Sequence, residues 1–256
     1  MTLRFSSLGS GSEGNALVVQ VGRSALMLDC GFGLAETEKR LARAGLLPEG
    51  LDAIVVTHEH SDHIGGVARF ARKHGIPVWL THGTAKVLNE VSIPPSLLRF
   101  VDPHDAFSVG DIQVTPYLVP HDAYEPVQYL FSDGNARLGV LTDTGTITEH
   151  IESTLSGCAA LVLECNHDLD LLMKGPYPAS LKKRVAGRFG HLDNHTAAAL
   201  LKNIDCTKLV HILAAHLSKQ NNRSELAQNA LANALSCAPE WIGISEQSCG
   251  FDWREI

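Results

Sequence analysis

The sequence has no apolar run of the length that a membrane-spanning helix needs. Crossing a bilayer takes roughly 18–20 consecutive apolar residues, and the 256 residues contain no such stretch. Residues 1–7 also lack the charged head and following apolar segment that are typical of an export signal. We therefore expect a cytoplasmic protein.

Cysteine pairs and an excess of basic residues are missing as well. The six cysteines are scattered without a C-x-x-C pair, so we expect reduced thiols. The net charge is −7, whereas proteins that bind nucleic acid usually show a basic face. The net charge alone does not decide whether the protein binds nucleic acid, because bound divalent cations would cancel negative charge locally. One basic cluster is present, and its commonest explanation is a solvated helix face: Lys182, Lys183, Arg184 and Arg188.

Low-complexity linkers and short repeats are absent, so we expect one domain over residues 1–256. Strands alternate with helices in both halves, which predicts an α/β fold of two mixed β-sheets packed face to face, with helices on both outer sides. Predicted strands cover residues 3–8, 16–22, 24–29, 53–57, 78–81, 107–109, 112–116, 127–132, 137–142, 159–164, 209–214 and 241–244. Predicted helices cover residues 35–44, 67–74, 84–90, 147–156, 196–203 and 224–235.

Metal-binding side chains are concentrated in residues 58–63, which read His-Glu-His-Ser-Asp-His. Burying three imidazoles and two carboxylates together would be costly without a divalent cation among them. The hexad follows an apolar strand, and ligands of α/β proteins bind beyond the carboxyl ends of strands. His58 and His60 are two apart while Asp62 and His63 are adjacent, so a bent loop can direct two pairs at two centres. These features predict a metallohydrolase.

Further segments also place an acid or a histidine directly after a predicted strand. They are centred on Asp29, His121, Asp143, His191 and His216. In this order, and together with the His-x-His-x-Asp-His hexad, they resemble the metallo-β-lactamase superfamily. The resemblance runs from the first strand to the last and implies the αβ/βα four-layer sandwich of that superfamily.

Four local patterns resemble the YycJ/WalJ branch of the superfamily. They are the glycine-rich residues 8–15, the Leu-Glu-Cys-Asn-His-Asp of residues 163–168, the Gly-His-Leu-Asp-Asn of residues 190–194, and residues 216–222. Members of this branch are regarded as 5′-to-3′ DNA exonucleases or related phosphodiesterases, so the resemblance implies a DNA substrate. Asp193 departs from the pattern, because the branch more often has serine there; this leaves fine substrate positioning open.

The resemblance implies two divalent cations and assigns their ligands. The expected ligands are His58, His60 and His121 for one cation, Asp62, His63 and His216 for the second, and Asp143 as the bridge. Mixed nitrogen and oxygen ligands suit zinc or manganese, and iron is possible. Two such cations can share a hydroxide and clamp a phosphate.

The resemblance also suggests roles for residues beside the metals. Asp62 and His191 are the expected catalytic residues, with His191 as the general acid or as a donor to a phosphate oxygen; alternatively, His191 caps the helix near residue 194. Backbone amides at that helix start could hold a phosphate oxygen. Asp29 is expected to orient a ligand histidine, and Glu59 to point away from the metals. Expected substrate contacts are Asn166, His167, Ser218, Asn221 and Asn222.

We therefore expect a dinuclear metal-dependent hydrolase, and the favoured activity is that of a DNA exonuclease. Two alternatives stay open: a small-molecule hydrolase, such as a cyclic phosphodiesterase or a lactonase, and a binding module without activity. The complete ligand set disfavours the binding module. Other activities of the superfamily are disfavoured because the sequence shows no signal peptide, glyoxalase-like helical extension, β-CASP insertion or long protruding arm.

Overall fold

The structure is a computed structural model that describes residues 1–87 and 93–256. Its first sheet has the strand order β14-β1-β2-β3-β4-β5-β6. Neighbours are antiparallel from β14 to β3 and parallel from β3 to β6. Its strands are β1 (Leu3–Gly9), β2 (Ala16–Val21), β3 (Ser24–Leu28), β4 (Ala53–Val55), β5 (Val78–Thr81), β6 (Leu98–Val101) and β14 (Phe251–Glu255).

The second sheet has the strand order β13-β12-β11-β10-β9-β8-β7. Pairing is antiparallel from β7 to β10 and parallel from β10 to β13, so this sheet is mixed as well. Its strands are β7 (Phe107–Val109), β8 (Ile112–Leu118), β9 (Val127–Ser132), β10 (Arg137–Leu141), β11 (Ala160–Glu164), β12 (His211–Ala215) and β13 (Gly243–Ile244).

Helices connect the strands of both sheets. They are α1 (Leu34–Arg43), α2 (Ser61–Ile64), α3 (Val67–His74), α4 (His82–Ala85), α5 (Glu149–Leu155), α6 (Leu169–Lys174), α7 (Ala179–Val185), α8 (Asn194–Asn203) and α9 (Ser224–Leu235). Short 3-10 turns cover Pro48–Gly50, Pro95–Leu97 and Pro239–Trp241. None of the helices in the described ranges is both long and apolar enough to cross a membrane.

Three apolar clusters fill the spaces between the layers of sheets and helices. The central cluster lies between the sheets and contains side chains of both, such as Phe5 and Tyr129. A second cluster packs α1 and α3 against the first sheet through Leu41 and Phe70, and a third packs α5, α8 and α9 against the second sheet. Burial of these faces is the main favourable term in folding. The predicted arrangement of two face-to-face sheets between outer helices is confirmed.

The prediction that the strand at residues 241–244 is the last one is wrong. The prediction omitted β14, which follows a left-handed Gly250 at φ 62° and pairs antiparallel with β1. Its partners in β1 lie about 250 residues earlier in the chain, as in the pair Phe5 and Arg254, so the local sequence pattern gives little signal for this strand. The predicted helix over residues 84–90 is also shifted, because α4 ends at Ala85; residues 88–90 lie outside the described residues. That residues 1–256 form one domain stays a prediction. The pairing of β14 with β1 supports it.

Candidate metal centre

Sharp turns at strand ends bring the predicted metal-binding side chains together. Asp29 follows β3, Asp143 follows β10 and His216 follows β12. All three have left-handed backbones, with φ of 58°, 53° and 55°. This conformation is uncommon outside glycine and concentrates at functional sites. The turns end the extended chain abruptly and leave three buried side chains at one edge of the two sheets.

Three imidazoles form the first group of candidate ligands. His58, His60 and His121 each offer one ring nitrogen, and these atoms lie within 4.8 Å of one another. The other ring nitrogen of each histidine lies at hydrogen-bonding distance from a protein oxygen. His58 Nδ1 lies 3.0 Å from Thr57 Oγ1. His60 Nε2 lies 3.2 Å from the Asp122 carbonyl oxygen, and His121 Nδ1 lies 3.0 Å from the Gly190 carbonyl oxygen. Protons on these outer nitrogens leave the inner ones with lone pairs.

Asp62, His63 and His216 form the second group, and they also present ligand atoms within 4.8 Å of one another. Asp62 Oδ2 lies 3.5 Å from His63 Nε2 and 3.4 Å from His216 Nε2. Asp143 lies between the two groups, since His58, His63 and Asp143 form a further close set. The structure therefore brings together all seven predicted ligands.

The donor atoms fit a bound divalent cation. His58 Nε2 and Asp143 Oδ2 are buried and make no hydrogen bond within the described residues. His60 Nδ1 and His121 Nε2 lie only 3.2 Å apart, although both nitrogens carry lone pairs when the outer ones are protonated. Buried polar atoms without partners are costly, and a cation among them would remove both penalties. Imidazole and carboxylate together suit a borderline metal ion.

Asp29 holds one of the candidate ligands from behind. Its carboxylate accepts hydrogen bonds from His63 Nδ1 at 2.8 Å and from the Thr57 amide and hydroxyl, each at 2.9 Å. The contact leaves His63 Nε2 directed at Asp62 and Asp143. A carboxylate in this position fixes the ring orientation and makes the ligand nitrogen more basic.

Glu164 is a component of the site to which the sequence analysis assigned no role. This fully buried residue ends β11. Its Oε1 lies 2.8 Å from His191 Nδ1 and 3.3 Å from His216 Nδ1, and its Oε2 accepts the amides of Thr144 and Leu192, each at 3.1 Å. An acid at the end of a buried strand is the signal that identified Asp29 and Asp143, so the same rule could have identified Glu164.

Asn15 is a second residue that the sequence analysis did not assign. The glycine-rich loop before β2 places Asn15 next to the hexad, where the Asn15 amide donates a hydrogen bond of 2.8 Å to the Asp62 carbonyl oxygen. Its side-chain Nδ2 lies 3.3 Å from Asp62 Oδ2 and 3.2 Å from His63 Nε2. The loop therefore sets the backbone position of Asp62.

The buried histidines and carboxylates of the centre shift one another's pKa values. Burial alone would lower the pKa of His63, but the carboxylates of Asp143 and Asp29 raise it well above its usual value. Burial is likewise opposed at His216, where Asp143, Asp62 and Glu164 raise the pKa to about 10. Burial would raise the pKa of Asp143, yet the neighbouring imidazoles hold it well below its usual value. By contrast, burial lowers the pKa of His58 and His121.

His191 lies at the rim of the centre and is partly exposed. Burial would lower its pKa, but the Glu164 carboxylate raises the pKa above the ordinary histidine value. The ring stacks against His216 with centroids 5.3 Å apart, and its Nε2 makes no hydrogen bond in the described ranges. The alternative of a helix cap does not hold, because Asp193 caps α8 by accepting the amides of His195 and Thr196.

Comparisons with known proteins agree with this geometry. Residues 25–212 match the family described as the β-lactamase superfamily domain. The chain belongs to the β-lactamase superfamily. Within that superfamily it is similar to exodeoxyribonuclease YycJ of Bacillus anthracis, with 37% identity over 92% of this chain and 90% of that protein. It is 33% identical to exodeoxyribonuclease WalJ of Streptococcus pneumoniae over 94% of this chain and 91% of that protein.

A solved structure of the superfamily has the same architecture. The metallo-β-lactamase fold protein YhfI from Bacillus subtilis superposes with a TM-score of 0.77 at 17% identity, covering 100% of this chain and 99% of that one. At this identity the likeness concerns the fold alone. The expected metallo-β-lactamase sandwich and the likeness to YycJ and WalJ are therefore confirmed.

The five residues predicted to contact substrate are all buried. Asn166 Nδ2 donates 3.0 Å to the His216 carbonyl oxygen, and the Asn222 amide pairs with that of Asn194 through two 2.9 Å bonds. The Ser218 hydroxyl accepts the Asn221 amide at 3.1 Å. Two fully buried atoms of these side chains, His167 Nδ1 and Asn221 Oδ1, make no hydrogen bond in the described chain. That these five residues contact the substrate stays a prediction.

Two smaller predictions are resolved by contacts near the site. The Glu59 side chain is turned toward the loop after His121, where its Oε1 accepts the Tyr124 amide at 2.7 Å. The amides of His195 and Thr196 at the start of α8, which the sequence suggests could hold a phosphate oxygen, instead bind the Asp193 carboxylate. Serine is an equally good N-cap residue, so Asp193 preserves the capping function at this position.

Proposed function

We propose that this protein is a phosphodiesterase that removes nucleotides from DNA in the 5′-to-3′ direction, with two divalent cations held by seven side chains. The observation that carries the proposal is the convergence of the seven predicted ligands around two buried atoms, His58 Nε2 and Asp143 Oδ2, that make no hydrogen bond in the described part of the chain. The DNA substrate is supported by the likeness to the two exodeoxyribonucleases over nine tenths of the chain.

Two of the close groups of candidate ligands share no residue, which supports two cations. His58, His60 and His121 would hold one, and Asp62, His63 and His216 the other, with Asp143 between them. Zinc and manganese both suit this mixture of imidazole and carboxylate, and iron is also compatible. When bound, the cations would supply Lewis acidity toward a phosphate oxygen and lower the pKa of water.

The protein's own residues position the reacting groups. Asp29 and Asn166 hold the His63 ring and the His216 backbone in place. Asp62, which we propose as a catalytic residue, keeps its carboxylate ionised because hydrogen bonds from His216 and His63 outweigh the effect of burial on its pKa. An ionised Asp62 can orient the attacking water as well as serve as a ligand.

His191 is the proposed general acid. Its Nδ1 proton is held by Glu164, so the proton on Nε2 is the one that can move to the departing oxygen of the phosphodiester. The carboxylate of Glu164 favours the protonated ring, which a general acid requires near neutral pH. The partial exposure of the ring places this proton where a substrate can reach it.

Digestion of end-labelled DNA tests the proposal. Single- and double-stranded oligonucleotides labelled at either end would be incubated with the wild-type protein and with Asp143→Ala. The matched control is Asp252→Ala, which removes an exposed aspartate of β14. We expect the wild type and the control to shorten DNA from its 5′ end, and Asp143→Ala to lose the activity while remaining folded.

The outcomes separate the site from its substrate. Equal activity of Asp143→Ala and wild type in clean preparations would contradict the assigned metal centre. Hydrolysis of bis-p-nitrophenyl phosphate or a lactone without any attack on DNA would retain the centre and contradict the nuclease assignment.

A further inference from the structure

An open cleft lies next to the first group of candidate ligands. Its volume is about 440 Å³, and it is lined by Glu59, His121, Asp122, Ala123, Tyr124 and Phe189. The size falls in the range of roughly 300–1,000 Å³ that is typical of small-ligand sites. Because His121 belongs both to the cleft wall and to the proposed metal centre, a group bound in the cleft would be the immediate neighbour of the reacting phosphate.

Two exposed aromatic side chains line this cleft. Tyr124 is 73% exposed and Phe189 55% exposed. Among the described residues, only Phe100 and Trp241 are other aromatic side chains with comparable exposure. Half of the exposed aromatic side chains of the described chain are therefore at the mouth of one site. Exposed apolar surface gathered beside a cleft indicates a binding surface.

The backbone under both rings is fixed. Glu59 accepts the Tyr124 amide at 2.7 Å, and the Asp122 amide donates 3.0 Å to the Phe189 carbonyl oxygen. The loop of Tyr124 and the loop of Phe189 are thus tied to each other and to the metal-binding hexad. Rings that are held in advance lose little conformational freedom when they bind a partner.

The surface beside Phe189 is basic in an otherwise acidic protein. Residues 179–191 include Lys182, Lys183, Arg184 and Arg188 but no acid, although the whole chain carries a net charge of −7. Arg184 binds Asp122 at 2.6 Å and so joins α7 to the cleft wall. The Arg188 guanidinium lies 5.9 Å from the centre of the Phe189 ring. Positive side chains next to aromatic rings match phosphates next to bases.

We propose that Tyr124 and Phe189 form a stacking site for a base at the end of a DNA strand, with Arg188 beside its backbone phosphates. This inference rests on the proposed nuclease function and adds the part of the substrate that the cleft recognises. Stacking tolerates every base, because each has a π-face. A stacking site therefore suits an enzyme that removes successive nucleotides regardless of sequence.

Abasic substrates test the stacking site. A 5′-labelled single strand would be compared with strands that carry an abasic residue at the first, second or third position. Alanine substitution of stacking aromatics weakens binding by about 5- to 150-fold per base, so for wild type we expect kcat/KM to fall by about that factor at one abasic position. The double variant Tyr124→Ala/Phe189→Ala should cut the normal strand more slowly and discriminate against the abasic strand little or not at all.

Two further variants control the comparison. Trp241→Ala removes an exposed ring on the 3-10 turn after α9, outside the cleft, and should discriminate as wild type does. Tyr124→Phe keeps a ring and should retain most of the preference for the normal strand. Both results distinguish loss of stacking from general damage.

The inference is overturned if the double variant discriminates between normal and abasic strands as strongly as wild type, or if wild type does not discriminate at any position. Failure of the proposed function gives a different result, because wild type would then cut none of the strands.

Discussion

The fully buried carboxylate of Glu164 places Oε1 2.8 Å from Nδ1 of the partly exposed His191, while its Oε2 accepts two backbone amides. The residue therefore joins the loop of Asp143 to the loop of the proposed general acid. Surrounding imidazoles hold its pKa down to about 2 against the effect of burial, so the carboxylate is ionised at neutral pH. A buried charge in this position stabilises the protonated form of His191.

Replacing this carboxylate should weaken catalysis most at alkaline pH. In Glu164→Gln the charge that raises the pKa of His191 is lost, so His191 should deprotonate at lower pH. We expect kcat for DNA to fall by about 10²-fold near pH 8, and the alkaline limb of the kcat profile to move to lower pH. Glu149→Gln, an exposed change on α5, is the control. An alkaline limb that does not move would contradict the role of Glu164.

The hydrogen bond from His63 to Asp29 should contribute to metal affinity. Asparagine tolerates the left-handed backbone of Asp29, so Asp29→Asn changes the side chain with little backbone strain. Its amide group cannot accept all three bonds that the carboxylate accepts. We expect metal affinity to fall by about 10- to 100-fold, and unfolding free energy to fall by about 1–3 kcal/mol.

Competition with a chromogenic chelator measures the first effect, and denaturant unfolding of the metal-loaded protein measures the second. Unchanged affinity would show that Asp29 only supports the fold. Asp52→Asn provides a matched control, since Asp52 accepts a backbone amide of β3 away from the candidate ligands.

Metal binding should strengthen as the pH rises. The pKa of His63 and His216 is raised in the folded chain, that of His216 to about 10, so these rings hold protons that a cation must displace. Their contribution to the stability of the metal-free chain is complete below the ordinary pKa of about 6.5 and is lost as the pH rises toward 10. For each displaced proton, affinity should rise about tenfold per pH unit.

Thermal unfolding with a chelator and with excess Mn²⁺, between about pH 6 and about pH 9, tests this linkage. The difference in Tm between the two series should widen with pH. A constant or narrowing difference would contradict the proton displacement.

Gly31 should be required for the position of Asp62. A Cβ on Gly31 would lie 1.8 Å from the Asp62 carbonyl oxygen and 2.8 Å from the Asn15 amide, whereas a Cβ on Gly33 would meet no atom within 4 Å. We expect Gly31→Ala to displace the hexad, to cost at least about 1–3 kcal/mol of stability and to reduce the metal content. Gly33→Ala should retain the metal and the Tm of wild type. Equal metal content in the two variants would contradict this packing argument.

The sequence predicted what depends on local pattern. The hexad His58–His63, the turn signals and the acids after strands identified a metallo-β-lactamase fold, and the structure places the predicted ligands together. It did not predict β14, whose pairing with β1 joins the two ends of the chain. The pairing of Glu164 with His191, 27 residues further along the chain, was not predicted either, although Glu164 ends a buried strand and the rule that identified Asp29 and Asp143 applies to it.

Activity as a function of added metal tests the central claim most directly. The protein would be freed of metal with a chelator, and cleavage of 5′-labelled DNA would be followed during titration with Zn²⁺ or Mn²⁺. The seven-ligand centre predicts no cleavage without metal and maximal cleavage at two equivalents per chain. Full cleavage by metal-free protein, or a maximum at one equivalent, would contradict a catalytic centre of two cations.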